Sequence, residues 1–391
     1  MAKLDELINK LCPDGVEYKK LSALCEIGTG NSNRQDACEN GLYPFYVRSQ
    51  NTLLINKYEF DEEAVIIPGE GGIGDIFHYA SGKYALHQRA YRIHPIGSEL
   101  LTKFIYYYMF SHFKKFIFMK AVNATVTSIR KPMIEQFEIP VPPMEVQCEI
   151  VRILDNFTEL TAELTAELTA RKKQYEYYRD ELLTFGDDIP IVKVGQVATV
   201  TKLAGFEFTK YVQYSNKGSI IALRGLNVKN GTLDLSDVKY IDNSDLSKLT
   251  RSKLKIGDML FTYVGTIGQV AIIDKDNKYY LAPNVALIRS TDINLLPEYM
   301  KYYFQSKTFW QTQINRLLQT SSMQNIPMEK IRKFEIPLPP LKEQQRIVDI
   351  LDRFDRLCND LSEGLPAEIE ARKKQYEYYR DKLLTFKEKK N

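Results

Sequence analysis

One short segment of the chain has the composition of a loop that could bind a phosphate or a cofactor. The segment Gly69-Glu70-Gly71-Gly72-Ile73-Gly74 contains four glycines in six residues, and glycine-rich loops bind phosphates where they open a helix. The residues that follow, Asp75-Ile76-Phe77, predict a strand and not a helix. A second glycine turn, Gly265-Thr266-Ile267-Gly268, resembles the first. We therefore interpret both segments as turns of a repeated framework.

Sequence patterns for catalysis and metal binding are absent elsewhere in the chain. The sequence has neither the Asn-Pro-Pro-aromatic or Asp-Pro-Pro-Tyr motif of amino methylation nor a GxxxxGK[ST] phosphate loop. The four histidines, His78, His87, His94 and His112, show no HxxxH or HExxH spacing, so no metal site is predicted. The five cysteines contain no CxxC pair, which is typical of free thiols in a reducing cytoplasm.

The composition indicates a folded and nearly neutral protein. A chain of 391 residues with 44% hydrophobic and 12% aromatic residues can fill two or three domain cores. Its 53 basic residues against 50 acidic ones leave a net charge of +3, so any contact with nucleic acid must be local. The N-terminal segment MAKLDELINKLCPDG has charges among its apolar residues, so no signal peptide is expected, and no uninterrupted apolar run reaches membrane-spanning length. We expect a cytoplasmic protein that does not enter a membrane.

An internal duplication determines the predicted architecture. Residues 171–185, RKKQYEYYRDELLTF, recur at 372–386 with a single difference, and residues 137–157 match 334–354 at 13 of 21 positions. Weaker matches pair Gly71–Gly74 with Gly265–Gly268, 83–93 with 278–288, 101–113 with 296–309, and 46–51 with 222–227. The chain is therefore expected to alternate two globules, 1–137 and 187–333, with two helical segments, 138–186 and 334–391.

Each globule shows short strand patterns separated by Gly and Asn turns, which predict a mixed α/β domain. Each globule also has an aromatic-rich segment, Phe104 to Phe118 and Tyr299 to Phe309, in which the rings recur at helical spacing. We interpret these segments as core helices that pack on a sheet. The alternative, an aromatic platform for nucleotides, is the less favoured interpretation.

Each helical segment opens with prolines, EIPVPP or EIPLPP, which fix an extended backbone and predict a stiff elbow. A heptad pattern with stutters follows, and it predicts two helices roughly 60 and 70 Å long that pair antiparallel. Gly364-Leu365-Pro366 interrupts the second pattern, so that helix is expected to kink or break there.

The first long helix contains a tandem repeat of the tetrapeptide TAEL, Thr161–Leu164 and Thr165–Leu168. Each four-residue unit advances a helix by about 6 Å and turns it by about 40° beyond a full turn. We interpret the tandem as a module that sets the length of the helix. Replication slippage in a tolerant helix is the alternative.

Taken together, these features resemble the specificity subunit of a type I restriction-modification system. The resemblance covers nearly the whole chain and rests on the globule, the Pro-Pro elbow, the long helix and the RKKQYEYYRDxLL signature, which all occur twice, and on the TAEL tandem. It implies an α+β fold with two mixed α/β target-recognition domains, two long antiparallel helices that form a coiled coil, and an internal pseudo-two-fold repeat. In that family, each recognition domain reads one half of a bipartite DNA sequence, and the helical pair spaces the domains.

The resemblance also implies the partners of the chain. They are double-stranded DNA, two modification subunits that transfer methyl groups from S-adenosylmethionine, and restriction subunits that use ATP and Mg²⁺ for translocation and cleavage. The chain itself would be non-catalytic and would bind no cofactor. Two other classes stay open: a coiled-coil adaptor without DNA specificity, and a stand-alone DNA methyltransferase or nuclease.

Reading of base edges requires Arg, Lys, Asn, Gln, Ser or Thr side chains that reach a groove. The loop residues that we expect to bind DNA in the first globule are Arg48, Gln50, Asn51, Gln88, Arg89, Asn123, Thr125, Thr127 and Arg130; those in the second are Lys202, Arg224, Asn227, Asn284, Thr320, Ser321, Ser322 and Gln324. The net charge is +1 for residues 1–137 and +7 for 187–333, so we expect the second globule to make more phosphate contacts.

The repeated RKKQYEYYRD block is more basic and aromatic than a helix surface requires, and a symmetric partner could dock on its two copies. We expect Tyr175, Tyr178, Tyr376 and Tyr379 to lie in the helical seam. The residues left for partner contact are Lys172, Tyr177, Arg179, Lys373, Tyr378 and Arg380.

Overall fold

The computed structural model describes residues 2–120, 128–203, 205–319, 325–360 and 362–389. The chain divides into two compact units. Unit 1 comprises Met1–Thr165 together with Glu368–Asn391, and unit 2 comprises Ala166–Ala367. Each unit therefore contains one of the expected globules and a part of both helical segments, and unit 1 is assembled from two separate stretches of chain.

Unit 1 contains eight described strands and the helices that accompany them. The strands are β1 Tyr18–Lys20, β2 Cys25–Thr29, β3 Tyr43–Tyr46, β4 Leu53–Ile55, β5 Phe60–Pro68, β6 His78–Leu86, β7 Ala90–Pro95 and β8 Glu138–Pro140. The helices are α1 Ala2–Leu11, α2 Leu21–Leu24, α3 Thr102–Lys120 and α4 Lys131–Glu135, with a 3₁₀ turn at Arg34–Asp36, and α5 Met144–Leu182 begins in this unit and continues into unit 2.

Unit 2 follows the same plan with shorter strands. Its strands are β9 Ile191–Lys193, β10 Ala198–Lys202, β11 Ile221–Leu223, β12 Val228–Lys229, β13 Thr232–Leu233, β14 Lys239–Tyr240, β15 Met259–Thr262, β16 Val270–Ile272, β17 Tyr279–Leu281, β18 Val285–Ser290 and β19 Glu335–Pro337. Its helices are α6 Val194–Val197, α7 Gly205–Tyr211, α8 Pro297–Gln305, α9 Lys307–Phe309, a π-helical turn Trp310–Ile314, α10 Asn315–Gln319, α11 Met328–Ile331 and α12 Leu341–Asn359; α13 Leu365–Leu383 runs from unit 2 into unit 1, and 3₁₀ turns lie at Gly225–Asn227, Leu246–Lys248 and Thr250–Ser252.

A six-stranded sheet in the order β2-β7-β5-β6-β3-β4 forms the centre of unit 1, and only the β3–β6 pair within it is parallel. The central strand β5 is buried on both faces. Val65 and Ile67 pack in the main core with helix α3, whereas Ala64 and Ile66 pack in a second cluster on the opposite face. This alternation is the period of two expected of a strand.

Unit 2 splits the same arrangement into two sheets, a four-stranded one in the order β10-β18-β15-β16 and a three-stranded one in the order β14-β11-β17. Strand β15 again alternates between two cores: Met259 and Phe261 pack with helix α8, and Leu260 packs on the other face. The predicted mixed α/β globules are confirmed. The aromatic segments are core helices as predicted, since Phe104, Phe113, Tyr299 and Phe304 are fully buried.

A buried glutamine fixes each proline elbow to its globule. In unit 1, the side chain of Gln147 accepts a hydrogen bond from the Leu101 amide (2.9 Å) and donates to the Pro142 carbonyl (2.8 Å). The equivalent Gln344 in unit 2 accepts from the Leu296 amide (2.9 Å) and donates to the Pro339 carbonyl (2.8 Å). Prolines have no amide N–H to donate. The glutamine side chain therefore donates the hydrogen bond that the proline carbonyl of each elbow requires.

The first long helix, α5, is unbroken over 39 residues. The second is broken as predicted, because α12 ends at Asn359 and α13 begins at Leu365. Phe157 in the first half of α5 stacks on Tyr379 of α13 (5.5 Å between ring centroids), whereas Tyr178 near its end stacks on Phe354 of α12 (5.7 Å). The later residue of α5 thus contacts the earlier residue of the second helical segment. This order means that the two helical segments run antiparallel.

The threonines of the TAEL tandem lie in the middle of α5 without leaving their hydroxyls unpaired. Thr161 donates to the Phe157 carbonyl (2.8 Å) and Thr165 to the Thr161 carbonyl (2.7 Å). Such bonds to the carbonyl four residues earlier let threonine occupy a helix interior. The division between the two units falls between Thr165 and Ala166, inside the second TAEL.

The glycine segments are turns, as predicted, because Gly71, Gly72, Gly74, Gly265 and Gly268 all adopt positive φ angles. One detail of the prediction is wrong: Asp75-Ile76-Phe77 does not form a strand, and β6 begins at His78. Three positive-φ glycines, Gly71, Gly72 and Gly74, keep the chain in the turn up to this point.

Candidate nucleic-acid interface

The polar residues of unit 1 converge where the glycine turn meets the hairpin turn between β6 and β7. The Gly69 amide donates to the Arg89 carbonyl (2.8 Å), and the Ile129 amide donates to the Gly69 carbonyl (2.9 Å). Glu70 and Ser128 form an isolated antiparallel bridge. The backbone at Gly69 and Glu70 is therefore held on both sides, by the hairpin turn and by the segment that precedes α4.

Two arginines meet at one carboxylate on this surface. The Glu70 Oε2 atom accepts hydrogen bonds from Arg48 Nη1 (3.1 Å) and from Arg89 Nη1 (3.0 Å). We call these three residues the arginine–glutamate cluster. About half of each arginine side chain is exposed, so both guanidinium groups remain accessible to a ligand.

Unit 2 repeats the backbone arrangement with different side chains. The Tyr263 amide donates to the Asn284 carbonyl (3.3 Å), the Ile326 amide donates to the Tyr263 carbonyl (2.9 Å), and Val264 bridges Asn325. Position 264 therefore corresponds to 70, and position 284 to 89. The framework is the same, but valine and asparagine stand where unit 1 has glutamate and arginine.

The strand that precedes Arg48 also has a counterpart in unit 2. The residue-by-residue alignment of the two strands in the structure differs from that of the sequence match. The His87 amide donates to the Tyr46 carbonyl (2.9 Å), and the corresponding Ala282 amide donates to the Leu223 carbonyl (3.1 Å). Tyr46 thus corresponds to Leu223, although the match of 46–51 with 222–227 pairs it with Ala222. In this register, Arg48 corresponds to Gly225.

A cavity of about 380 Å³ occupies the corresponding place in unit 2. Its lining includes Phe208, Tyr214, Arg224, Val264 and Asn284. The Phe208 and Tyr214 rings meet edge to face at 5.4 Å, and burial raises the pKa of Tyr214 against the opposing effect of Arg224. We call this feature the aromatic cavity. Its rings, guanidinium group and amide can contact a base by apolar, charged and hydrogen-bonding interactions.

Comparison with known proteins identifies the family. Two segments of the chain, residues 13–174 and 171–371, match the type I restriction modification DNA specificity domain. The chain belongs to this family. It is therefore a DNA-recognition subunit that works in a multisubunit complex with DNA, and it is not itself a catalytic subunit.

Individual relatives agree with this membership. The chain is 34% identical over 390 residues to a type I restriction enzyme specificity subunit from Haemophilus influenzae, with 95% of this chain and 96% of the relative covered. It is 33% identical over 264 residues to the EcoR124I/EcoR124II specificity subunit from Escherichia coli, with 64% of each chain covered. The crystal structure of a type I S subunit from M. genitalium superposes with a TM-score of 0.61 at 12% identity, covering 95% of this chain and 96% of that chain.

The structure of this specificity subunit describes ten of the seventeen predicted DNA-binding residues, and eight of these ten are exposed. The exposed ones are Arg48, Gln50, Asn51, Gln88, Arg89, Arg130, Lys202 and Asn284. Seven others, Asn123, Thr125, Thr127, Thr320, Ser321, Ser322 and Gln324, lie outside the described residues. The structure brings Arg48 and Arg89 together at Glu70, and it brings Arg224 and Asn284 together in the aromatic cavity.

One predicted DNA contact is corrected by the structure. Asn227 is fully buried; its Nδ2 donates to the carbonyls of Asp234 and Asp237 (2.8 Å each), and its Oδ1 accepts from the Arg224 amide (3.0 Å). Its amide is used to close the loop 224–237, so it has no surface to offer a base. Arg224 is itself only 22% exposed and forms an ion pair with Asp237 (3.1 Å).

Of the predicted docking residues, only four are exposed. Tyr177 and Tyr378 each expose 64% of their surface, and Lys172 and Lys373 are also exposed. The seam prediction holds for the other tyrosines, since Tyr175 is buried and Tyr178, Tyr376 and Tyr379 pack on aromatic or core residues.

Docking contacts for Arg179 and Arg380 stay predictions. Their side chains are only 16% and 17% exposed. Each lies over a tyrosine ring of its own helix, Arg179 over Tyr175 and Arg380 over Tyr376, and pairs with the next aspartate. Packing of a guanidinium group on an aromatic face stabilises both helix ends and leaves less of each arginine for a partner than of the exposed tyrosines.

In the part of the chain that the structure describes, neither a cluster of metal ligands nor a membrane segment is found. Within the described ranges, no three His, Cys, Asp or Glu side chains group closely enough to hold a metal ion. Among the helices of those same residues, none combines the length and the apolarity that crossing a membrane requires. The five cysteines are free thiols.

Sequence reasoning missed Glu70 and the two rings of the aromatic cavity. Glu70 is the only charged residue within the first glycine turn, and that is the signal that could have revealed it. Phe208 and Tyr214 have no such signal, because their neighbourhood in unit 2 has no sequence counterpart in unit 1.

Proposed function

We propose that each unit of this specificity subunit reads one half of a bipartite DNA sequence, unit 1 through the surface around the arginine–glutamate cluster and unit 2 through the aromatic cavity. One observation carries the proposal. Two equivalent sets of backbone hydrogen bonds, at 69–129 and 263–326, present different side chains at equivalent positions. A repeated scaffold with exchanged side chains is what independent reading of two unlike half-sites requires.

The target-recognition domains in this proposal are residues 1–137 and 187–333. The elbows and helices, 138–186 and 334–391, then form the part that related subunits share. Exchange of residues 1–137 for those of a related subunit should replace one half-site and leave the other unchanged. Methylome sequencing of a strain with the exchanged chain tests this expectation, and a change in both half-sites or in neither would refute reading by separate domains.

We propose that α5 contributes to the length of the unspecified spacer between the half-sites. It passes from one unit to the other without a break, and the TAEL tandem lies at the division between them. A third TAEL after Leu168 adds about 6 Å and turns α5 by about 40° net. If the added length is shared between the two ends of the helical pair, each end gains roughly 3 Å, close to the rise of about 3.4 Å for one base pair, and the rotation is close to the twist of about 36°. The expected result is a spacer that is one base pair longer, with both half-sites retained.

Methylome sequencing of strains with one, two and three TAEL units measures the spacer directly. A spacer that is constant across the three strains would show that the tandem results from slippage and that this helix does not set the distance. The half-sites serve as the control, because their persistence shows that both recognition domains remain folded.

We propose that two modification subunits dock on the duplicated helix ends, one near Tyr177 and Lys172 and the other near Tyr378 and Lys373. The equal exposure of the two tyrosines supports two equivalent docking faces. Those subunits would transfer methyl groups from S-adenosylmethionine, restriction subunits would join the full complex, and the assembly would act in the cytoplasm. Native mass spectrometry should find two modification subunits for each specificity subunit in the active methylase.

A further inference from the structure

We propose that Glu70 determines the sequence specificity of unit 1, because its carboxylate holds the guanidinium groups of Arg48 and Arg89 side by side so that they read guanines at neighbouring base pairs. The inference rests on the proposed function of unit 1 as a DNA-reading domain. It adds a positioning residue that touches no base and the class of base that the first half-site contains.

The spacing of the two guanidinium groups follows from their shared acceptor. Both Nη1 atoms bond the same oxygen, at 3.1 and 3.0 Å, so at most about 6 Å separates them. Successive base pairs rise by about 3.4 Å. Two arginines whose Nη1 atoms lie this close together fit two neighbouring base pairs.

The carboxylate is itself fixed by the backbone. Gly69 is held between the Arg89 carbonyl and the Ile129 amide, and Glu70 bridges Ser128. A Cβ atom on Gly69 would lie 2.9 Å from the Arg89 carbonyl oxygen, which is too close for any other residue without a shift. Glycine at position 69 therefore permits the close approach that brings the glutamate to both arginines.

The buried His87 holds the other side of the cluster. Its Nδ1 accepts a hydrogen bond from the Arg89 amide (3.0 Å), and its own amide donates to the Tyr46 carbonyl. Burial, together with the charges of Arg48 and Arg89, lowers the pKa of His87. The neutral ring is the form that can accept this bond, so it fixes the turn that carries Arg89.

The chemistry of arginine identifies the bases. A guanidinium group donates two parallel hydrogen bonds to the O6 and N7 atoms of guanine in the major groove, which is the most common specific contact of proteins with DNA. Without a carboxylate, two adjacent arginines would also bind any phosphate. Glu70 lowers the charge of the cluster from +2 to +1 and repels phosphate oxygens, and it leaves the outer donors of both arginines for base edges.

Unit 2 provides the internal comparison. Gly225, Val264 and Asn284 occupy the three equivalent positions, so unit 2 has no carboxylate at the place of Glu70. A change at Glu70 should alter the first half-site and leave the second half-site as it is. The second half-site thus reports on the folding and assembly of every variant.

The experiment uses the full chain in complex with its modification subunits. Duplex libraries with a randomised first half-site and a fixed second half-site are methylated and sequenced. Glu70→Gln and Glu70→Ala should each lose roughly ten-fold discrimination at two neighbouring guanine positions and should bind non-specific DNA more tightly at low salt. The matched control is Asp75→Asn, which removes a carboxylate directly after the same glycine turn, where it pairs with Lys114 (2.6 Å), and should keep the original profile.

A double variant, Arg48→Ala with Arg89→Ala, distinguishes positioning from direct contact. In that background, Glu70→Gln should cause no further change in the base profile, because the carboxylate has no arginine left to orient. A further change would show that Glu70 reads a base itself and would overturn the positioning role. An unchanged profile for Glu70→Gln in the otherwise intact chain would overturn the inference altogether.

Failure of the underlying proposal would look different. If unit 1 does not read DNA, the intact complex will show no preference in the randomised first half-site, whatever residue stands at position 70. A clear preference that Glu70 variants do not alter would leave the proposed function standing and remove only this inference.

Discussion

The two units hold their long helices in the same way and present different chemistry to their ligand. Gln147 and Gln344 clamp the elbows with equivalent bonds. Tyr107 donates to Asp155 on α5 (2.6 Å), and Tyr302 donates to Asp352 on α12 (2.5 Å). These buried contacts recur because each one compensates for the removal of polar groups from water.

The candidate reading surfaces of the two units differ. Unit 1 places Arg48, Glu70 and Arg89 on the repeated framework, where unit 2 has Val264, Asn284 and an open cavity. Backbone hydrogen bonds define both surfaces, and such bonds do not depend on side-chain identity. In this fold, the side chains that hold the helices are therefore different from those proposed to contact DNA. The DNA-contacting side chains can change while the contacts that hold the helices are retained.

The largest effect expected from this comparison concerns two equivalent leucines at the helix ends. Leu384 and Leu183 are each 1% exposed, the first in the core of unit 1 and the second in the core of unit 2. Leu384→Ala should destabilise unit 1 by about 2 to 5 kcal/mol, and Leu183→Ala should destabilise unit 2 by as much. Hydrogen exchange measured separately over each unit checks this, and each variant is the control for the other. Loss of protection in the opposite unit would contradict the division of the chain.

A second effect tests the correction at Asn227. Asn227→Ala removes three hydrogen bonds from the loop 224–237 and should lower the free energy of unfolding of unit 2 by about 3 kcal/mol, because two carbonyls and an amide lose their partner. In the corrected register, its counterpart in unit 1 is the exposed Gln50, and Gln50→Ala should change the stability by less than about 0.5 kcal/mol. Urea unfolding of both variants gives the two values. Equal effects would contradict the structural role of Asn227, because only Asn227 is buried and closes a loop.

A third difference lies in the response to acid. All four histidines belong to unit 1, and burial lowers the pKa of His78, His87 and His112 from the usual 6.5. Below about pH 6.5, the unfolded chain therefore binds protons more tightly than the folded unit does, so stability that is present above this pH is lost as the pH falls. Unit 1 should unfold at a lower temperature at pH 5.5 than at pH 7.5.

Unit 2 is the control for this acid effect. It has no histidine, and the pKa of its Asp234 and Asp242 is lowered from 3.8, so their contribution is lost only in much stronger acid. Hydrogen exchange at the two pH values, corrected for the intrinsic exchange rates, separates the units. An equal loss in both would exclude the buried histidines as the cause.

The smallest effect on the chain itself is expected at the proposed docking tyrosines. Tyr177→Ser and Tyr378→Ser should each change the stability by less than about 0.5 kcal/mol, because both rings are largely exposed. Each should nevertheless weaken the binding of one modification subunit, which native mass spectrometry would record as a shift from two copies to one. Two retained copies at equal concentrations would exclude these rings from the docking face.

Much of the fold could be predicted from sequence because its signals are local. The prolines before α5 and α12, the aromatic periodicity of α3 and α8, and the glycine and proline near residue 365 each act on the backbone within one or two turns. The internal duplication also predicted that the two long helices pair with each other. The family followed from the combination of these features.

The candidate site was less predictable because it depends on distant backbone pairing. The sequence match aligned Arg48 with Arg224, whereas the bonds to the next strand shift the register by one residue. In the shifted register, most of the Arg224 side chain is covered within unit 2, and Asn227 closes the loop 224–237. The arginines at the helix ends, Arg179 and Arg380, were difficult for another reason. Each contacts a ring only four residues earlier in its own helix, but the sequence of a basic block does not show that an arginine lies over a neighbouring ring.

The discontinuity of unit 1 has a consequence for biosynthesis. Leu383, Leu384 and Phe386 pack in its core, and Lys387 and Lys389 pair with Val16. These residues leave the ribosome after the whole of unit 2, about 200 residues later than Thr165, which corresponds to roughly 10 to 40 s of translation. The globule that is synthesised first is thus the last to be completed, and its unfilled core must be kept from aggregation while the second globule folds.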